Sequence, residues 1–395
     1  MAANILEMQA FNQKFPEYAL VKVNDWWSDI TGKEPRECPG ITIGIPVFNE
    51  AKGIRRVILE EILEQRLPGE VPITIICATD GSTDGSPEKV QSIINEFAEK
   101  RAKKEGGKKR KEDFIKREQF VWPQEELVGQ YRKQHWPEED FGKTIEKTTV
   151  QAEDGVRLVH IFNSQNQGKN NAMNMIRAHT DTPEIIYVDG DVRLHPYAIG
   201  ELYGTLVKQN SQIVAGNYIP YWDQKTLWAN FMRHSGIKLN LNDTLPKVPF
   251  LLGSLFIMET SSKSIPYFPV DIMYEDKWLR LFCAKYIENF KQSEAALVFQ
   301  RRPSTLIEQI QEVLRVRFHD SQLYALHKDD LPVDFIPRAI EKSIVERLQE
   351  ADGKLVLLAE ILIILLTKKM VADFEKSGRP WHELKSFKRI ASTKL

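Results

Sequence analysis

The stretch Ile185-Ile186-Tyr187-Val188-Asp189-Gly190-Asp191 decides how the chain is read. Its first four residues are β-branched or aromatic and predict a short buried strand. Two carboxylates separated by one glycine close it. In an open α/β sheet, ligands bind beyond the carboxyl ends of the strands. Two acids there, with no bulk between them, suit a hard divalent cation that bridges to a phosphate-bearing ligand. Asp-Gly-Asp is equally a good turn sequence, so the choice depends on what surrounds it.

Immediately upstream, a strand is predicted over 156–162. It leads through Asn163-Ser164-Gln165-Asn166-Gln167-Gly168-Lys169 into a helix whose face carries Ala172, Met175, Ile176 and His179. Lys169 stands at the start of that helix, against the usual preference for acids. A cation there gains if an anion binds at the same end; otherwise it is a surface lysine. Further upstream, 41–50 predicts a strand stopping at Pro46. Helical spacing of Ile54, Val57, Ile58 and Ile62 follows, with Asn49 and Glu50 at the junction, where such residues also serve as caps. The strand over 73–78 runs into Thr79-Asp80-Gly81-Ser82-Thr83-Asp84-Gly85-Ser86. A helix with Pro87 behind a Ser86 cap comes next, burying Val90, Ile93, Ile94 and Phe97. That acidic loop lacks the Gly-Lys-Ser/Thr ending of a phosphate-cradling loop.

Downstream, the alternation continues with a helix over 196–209 and a strand over 213–218. Residues 250–257 read as an apolar strand interrupted by Gly253 and Ser254. A helix then opens with Glu275 and Asp276 in its first turn, where acids are ordinary dipole partners. Trp278, Leu279, Phe282 and Tyr286 are expected to point inward. A strand over 296–299 and a helix over 305–318 complete the alternation.

Three regions fall outside this pattern. Residues 1–40 carry Phe11, Phe15, Tyr18, Trp26 and Trp27 and predict helices packed on the main domain. Residues 100–150 read as a basic insertion, Lys100-Arg101-Ala102-Lys103-Lys104 and Lys108-Lys109-Arg110-Lys111 being its densest runs. A solvated helix and loop is the expectation there; contact with an anionic membrane surface or a polyanionic acceptor is the alternative. Residues 321–395 predict a helical C-terminal region. Its apolar run over 355–366 contains Glu360 and falls short of the about 20 residues a bilayer requires, which favours a buried helix over an interfacial anchor.

The chain has 395 residues, 42% of them hydrophobic, enough for a sizeable core. Lys+Arg 54 against Asp+Glu 55 leaves a net charge of -1, which argues against nucleic acid as a partner. Cys38, Cys77 and Cys283 are widely spaced and match no disulfide framework or metal cluster. With no basic, apolar leader at the N-terminus, a cytoplasmic protein is expected, peripheral to the inner membrane face if the insertion binds lipid.

Taken together, Ile45-Pro46-Val47-Phe48-Asn49-Glu50, Asp80-Gly81-Ser82-Thr83-Asp84, Gly168-Lys169-Asn170-Asn171-Ala172-Met173-Asn174, Asp189-Gly190-Asp191 and Tyr274-Glu275-Asp276-Lys277-Trp278-Leu279 resemble the motifs of the family 2 glycosyltransferases. That family has the GT-A fold and includes the cellulose, chitin and hyaluronan synthases. The resemblance covers 41–320 and implies an α/β, Rossmann-like mixed sheet flanked by helices, with a helical C-terminal extension.

It also implies an inverting hexosyltransferase that uses a nucleoside diphosphate sugar, by family frequency a UDP-sugar. Pro46, Val47, Phe48, Asn49, Glu50 and Asp80 would hold the nucleoside. Asp189, Gly190 and Lys169 would face the diphosphate, with Asp191 and Asp189 on Mg²⁺ or Mn²⁺ and His319 as a candidate further ligand. Asp276 looks like the general base, oriented by Glu275. Gly253, Ser254 and Arg317 would meet the hydroxyl acceptor, whether saccharide, lipid or small molecule.

The chemistry agrees with those roles. A leaving diphosphate needs its developing charge neutralised, and an acceptor hydroxyl needs a carboxylate to take its proton. Two departures stand out. Thr79-Asp80 replaces the two successive aspartates of many members. Leu314-Arg315-Val316-Arg317-Phe318 keeps only the Arg of the processive Gln-x-x-Arg-Trp signature, which points to a non-processive enzyme. A nucleotidylyltransferase on a similar sheet would need a glycine-rich loop where Pro46 to Glu50 stand. A non-catalytic scaffold at a membrane surface is the remaining alternative.

Overall fold

The computed structural model describes residues 23–106, 109–125, 127–128, 141–152, 155–222, 224, 226–229, 253–260, 265–272, 275–287, 289–309 and 312. The elements in order are α1 (Val23–Thr31), β1 (Ile41–Val47), α2 (Ile54–Arg56), a π-helical turn (Val57–Ile62), β2 (Ile73–Asp80), α3 (Ser86–Lys104), β3 (Ile115–Trp122), β4 (Lys143–Gln151), β5 (Val156–Asn163), α4 (Lys169–Ala178), β6 (Glu184–Val188), β7 (Arg193–Leu194), α5 (Ala198–Lys208), β8 (Ile213–Tyr221), β9 (Leu255–Glu259), α6 (Glu275–Tyr286) and β10 (Phe290–Arg301).

The strands form one 10-stranded mixed sheet in the order β3-β4-β5-β2-β1-β6-β9-β8-β10-β7. Its centre is parallel: β5, β2, β1 and β6 run the same way, with Gly44 of β1 opposite Ile76 and Tyr187. All seven residues of β1 are buried, as an unbroken apolar strand covered on both faces requires. One apolar cluster joins Trp26, Trp27, Val90, Ile93, Ile94 and Leu202 on one side of the sheet. The other joins Ala172, Met173, Met175, Ile176, Leu279 and Cys283. Trp26 and Trp27 are therefore core, as their sequence context predicts; Phe11, Phe15 and Tyr18 lie outside the described residues.

Because the central strands are parallel, their carboxyl ends share one edge of the sheet. Asp80 and Asn163 end β2 and β5, Val47 ends β1, and Val188 delivers Asp189 to the same edge. Helix α4 follows β5 and places Lys169 there as well.

The reading of 100–147 as a solvated helix and loop is corrected. Helix α3 continues to Lys104, and β3 and β4 pair antiparallel from Ile115↔Val150 to Trp122↔Lys143, with β4 docking onto β5. Thr144, Ile145, Thr148, Thr149 and Val150 supply the β-branched content that a strand prefers, and Ile145 and Val150 face the core. Several basic residues of this region pair with acids: Lys109 with Glu105, Lys111 with Glu99, and Lys116 and Lys147 with Glu118. Exposed pairs of this kind contribute little stability, but they reduce the local positive field.

Smaller corrections follow. The strand expected over 250–257 is β9, and Gly253 and Ser254 precede it rather than interrupt it. The strand expected over 296–299 is part of the longer β10, whose pairing with β8 shifts register between Gln292 and Leu297. Tyr286, expected inward, ends α6 at 54% exposed, one turn beyond the buried Cys283. The helix expected over 305–318 begins at 306, and the C-terminal region, including 355–366, lies outside the described residues. Among the described residues no helix is long and apolar enough to cross a membrane. The three cysteines are buried free thiols.

Candidate active site

The loops after β1 and β2 are tied to each other. Asn49 takes a positive φ of 57°, which Asn tolerates better than most residues. Its Oδ1 accepts the Thr83 N–H at 2.8 Å, and its own N–H donates to Ser82 Oγ at 3.1 Å. The N–H of Glu50 donates to Ser86 Oγ at 2.8 Å, and that of Ala51 to Asp84 Oδ2 at 2.9 Å. Ser86 is thus not the cap of α3 that its position suggests. Gly85 occupies the cap position, and the Ser86 hydroxyl serves Glu50 instead. Pro46 and Val47 are buried strand residues, while Phe48, Asn49 and Glu50 are half-buried at the rim.

Asp80 sits beneath that rim, only 2% exposed. Its Oδ1 accepts from Asn163 Nδ2 at 2.8 Å and Asn171 Nδ2 at 3.3 Å, and its Oδ2 from the N–H groups of Gln167 and Gly168, each at 2.7 Å. Burial pushes its carboxyl up to about 6, against the pull of these donors. Asp80 therefore anchors the loop that delivers Lys169. Trp122 of β3 joins this network, its indole N–H donating to Asn171 Oδ1 at 2.7 Å.

The acid pair follows β6. Asp189 is half-buried, and its N–H donates to Ser254 O at 3.1 Å, locking the turn to the start of β9. Gly190 leaves room for Glu50: a Cβ there would stand 3.0 Å from Glu50 Cγ. Asp191 presents an exposed side chain. The turn is also gripped from the π-helical turn, where the Leu63 N–H reaches back to Ile58 O at 3.1 Å. Such turns bond i to i−5. Arg56 and Glu61, five residues apart, pair with each other and hold the same stretch: Arg56 Nη1 donates to Val192 O at 3.0 Å, and Glu61 Oε2 accepts the Leu194 N–H at 2.7 Å.

Lys169 connects the two acid pairs. Its ammonium lies 2.7 Å from Asp189 Oδ1 and also bonds Glu275, the first residue of α6. Asp276 accepts the Gly253 N–H at 3.4 Å and the Lys277 N–H at 2.6 Å. Gly253 fits because it has no side chain: a Cβ would fall 2.2 Å from Glu275 Oε1. The structure thus brings together Asp189, Lys169, Gly253, Ser254, Glu275 and Asp276. Arg317 and His319 lie outside the described residues.

Burial pushes the Glu275 carboxyl up to about 7, with the Asp276 and Asp189 charges adding to that and Lys169 opposing it. Burial raises Asp276 too, against Lys169 and its two backbone donors. Burial works against the Lys169 charge, but Asp189 and Glu275 prevail and hold its ammonium above lysine's ordinary value. Several carboxylates thus share one ammonium, an arrangement that favours a further cation. The oxygen-only donors of Asp189 and Asp191 fit Mg²⁺ or Mn²⁺. Among the described residues no group of three or more His, Cys, Asp and Glu is arranged around a metal position.

Sequence reasoning missed Arg56, Glu61 and Trp122. A spacing of five carries no signal in an ordinary helical pattern. The tryptophan sits in the insertion, far in sequence from the loop it supports.

Residues 42–110 and 143–263 match the model of glycosyl transferase family 2, and the chain belongs to that family. The break in the match, 111–142, contains β3. The chain is therefore a glycosyltransferase built on a mixed α/β sheet flanked by helices, which replaces the nucleotidylyltransferase and scaffold alternatives. No curated protein sequence matches the chain. Among solved structures it is similar to the mannosyltransferase PcManGT from Pyrobaculum calidifontis in complex with GDP-Man and Mn²⁺, at 14% identity, covering 100% of this chain and 97% of that one, with a TM-score of 0.46. It is also similar to S. aureus TarS 1-349 in complex with UDP-GlcNAc, at 13% identity, 78% and 75% coverage and a TM-score of 0.42. Glucosyl-3-phosphoglycerate synthase from Mycobacterium tuberculosis, with Mn²⁺, UDP-Glc and phosphoglyceric acid, is similar at 14% identity, 78% and 84% coverage and a TM-score of 0.40.

Proposed function

We propose that the chain is a non-processive, inverting glycosyltransferase that moves a sugar from a nucleoside diphosphate sugar, taken to be a UDP-sugar, to an acceptor hydroxyl. The observation that carries this reading is the Lys169 bridge between Asp189 and Glu275, which joins the donor-side acids to the carboxylates that open α6. In the reaction, the acceptor oxygen forms a bond to the anomeric carbon as the bond from that carbon to the diphosphate oxygen breaks. The diphosphate leaves with the electron pair, and the acceptor proton passes to Asp276. A base on the face opposite the leaving group gives inversion in one displacement.

The rim from Phe48 to Glu50 flanks the nucleoside, and Lys169 supplies positive charge toward the diphosphate. Asp189 and Asp191 would hold Mg²⁺ or Mn²⁺, which when bound offsets the charge developing on the leaving group. Gly253 and Ser254 stand beside Asp276, on the acceptor side. Glu275 keeps Lys169 and the base in one cluster.

The test is nucleotide release from UDP-Glc, UDP-GlcNAc and GDP-Man, with and without Mn²⁺, by the full chain and by Asp276→Asn. Metal-dependent release that the substitution removes is the expected result. Equal release by both proteins would remove Asp276 from the mechanism, and no release from any donor under any condition would remove the reading.

A further inference from the structure

Lys169 opens α4, and the same helix carries three side chains that the proposed reaction does not use. Asn170, Asn174 and Arg177, spaced by four and three, lie along one helix face. That face meets the irregular chain between β9 and α6. Asn170 Nδ2 donates to Ile272 O at 3.2 Å. Asn174 Nδ2 donates to Phe268 O at 2.8 Å, and its Oδ1 accepts the Phe268 N–H at 2.9 Å. Arg177 Nη1 donates to Pro266 O at 2.9 Å, and its Nη2 to Ile265 O at 2.8 Å and Thr260 O at 3.2 Å. Its guanidinium also lies 4.7 Å from the Tyr267 ring centroid.

All three side chains are more than nine-tenths buried. Burying an amide or a guanidinium is costly unless it is hydrogen-bonded, so an ordinary packing face would be apolar. What these groups satisfy is the backbone of Ile265–Ile272, which forms no helix or strand and needs partners for its own polar groups. Asn174 both donates to and accepts from one residue, as a neighbouring strand would. The helix that holds Glu275 through Lys169 thus also fixes the chain leading into Glu275 and Asp276.

We propose that Asn170, Asn174 and Arg177 are positioning residues for the general base: through the Ile265–Ile272 backbone they set where α6 starts relative to Lys169 and Asp189. The inference rests on the proposed role of Asp276. It assigns a task to the polar residues after Lys169 that neither donor nor metal binding requires.

Two full-chain variants test it, Asn174→Ala and Arg177→Lys, the second keeping the charge and losing the fork that spans three carbonyls. Three quantities are read: amide hydrogen exchange in α6, UDP affinity with Mn²⁺, and nucleotide release from the donor that the unaltered chain uses. Exchange in α6 should quicken about tenfold while exchange in β6 does not change. Release should slow roughly 10- to 100-fold at saturating donor, the scale of a small misplacement of a catalytic group, with UDP affinity within about twofold of the unaltered chain. Unchanged exchange in α6, or a parallel loss of UDP affinity and turnover, would overturn the proposal. If Asn174→Ala does not fold, Arg177→Lys carries the test alone. If the unaltered chain releases no nucleotide, it is the proposed function that fails, whereas normal turnover in both variants refutes the positioning role.

Discussion

The Lys169 ammonium stands 2.7 Å from Asp189 Oδ1 while also bonding Glu275, so one side chain spans the donor-side and base-side carboxylates. In Lys169→Met, Glu275 keeps its burial and its acidic neighbours and loses the charge that opposes them, so its carboxyl rises further. Breaking a buried pair from one side costs about 3 kcal/mol or more. Lys169 is about a third exposed, which places the expected loss in urea denaturation at about 2 kcal/mol. UDP affinity should fall at least about tenfold. Titration calorimetry that finds unaltered affinity would remove Lys169 from the donor side.

The two acid pairs should separate by assay. Asp191→Ala is expected to abolish the Mn²⁺ dependence of UDP binding and, with it, turnover. Asp276→Asn is expected to leave UDP binding unchanged and to slow transfer by about 100-fold or more. A matching loss of nucleotide affinity in Asp276→Asn would place that residue with the donor instead.

Gly253→Ala tests the fit between the β9 approach and α6. The added Cβ would stand 2.2 Å from Glu275 Oε1, so the carboxylate must swing from its place beside Lys169. The expected result is a tenfold or greater drop in turnover, with UDP affinity held within about threefold. A variant as active as the unaltered chain would show that the position of Glu275 does not matter.

Stability should fall in mild acid through His160. Burial pushes this imidazole down to about 4, and it pairs neutrally with Thr79 Oγ1 at 2.9 Å. The unfolded chain takes up its proton below the ordinary value of 6.5. Between those limits the unfolded state binds more protons, and stability declines as pH falls. The loss approaches a ceiling of about 3 kcal/mol near pH 4. His195, also pushed down to about 4 by burial with Arg66 adding, contributes in the same window. Urea midpoints at pH 7 and pH 5 for the unaltered chain and for His160→Gln measure the His160 share. Identical pH slopes would show that His160 carries none of it.

Trp122→Phe removes the indole donor from Asn171 Oδ1 and leaves a buried acceptor without it. Such losses cost about 1–3 kcal/mol. Because Asn171 also contacts Asp80, UDP affinity should weaken along with stability. An effect on denaturation alone would limit the insertion to a structural role.

Much of this arrangement is legible in the sequence for a physical reason. Parallel strands are buried on both faces, so Ile41 to Val47 and Ile185 to Val188 read as apolar runs, and polar residues at their carboxyl ends stand out. Glu275 and Asp276 are placed in a first turn by helical spacing alone. What the sequence does not reveal lies in pairings across distance. Nothing local says that Asp80 is enclosed by Asn163, Gln167, Gly168 and Asn171, or that Ser86 serves Glu50 rather than its own helix. The β3–β4 hairpin is obscured because charged residues dominate its exposed face, and its two strands are separated by 20 intervening residues.

The under-wound stretch at Val57–Ile62 has a consequence for tolerated chain length. Deleting one residue inside it should restore an ordinary α-helix, with no loss to the helix as such. Glu61 would then turn by about 100° around the axis, away from Leu194, and Arg56 would lose its partner. A chain shortened in this way should fold with its core intact and yet let the Asp189–Asp191 loop drift, which makes that single extra residue a length constraint on the helical segment between β1 and β2.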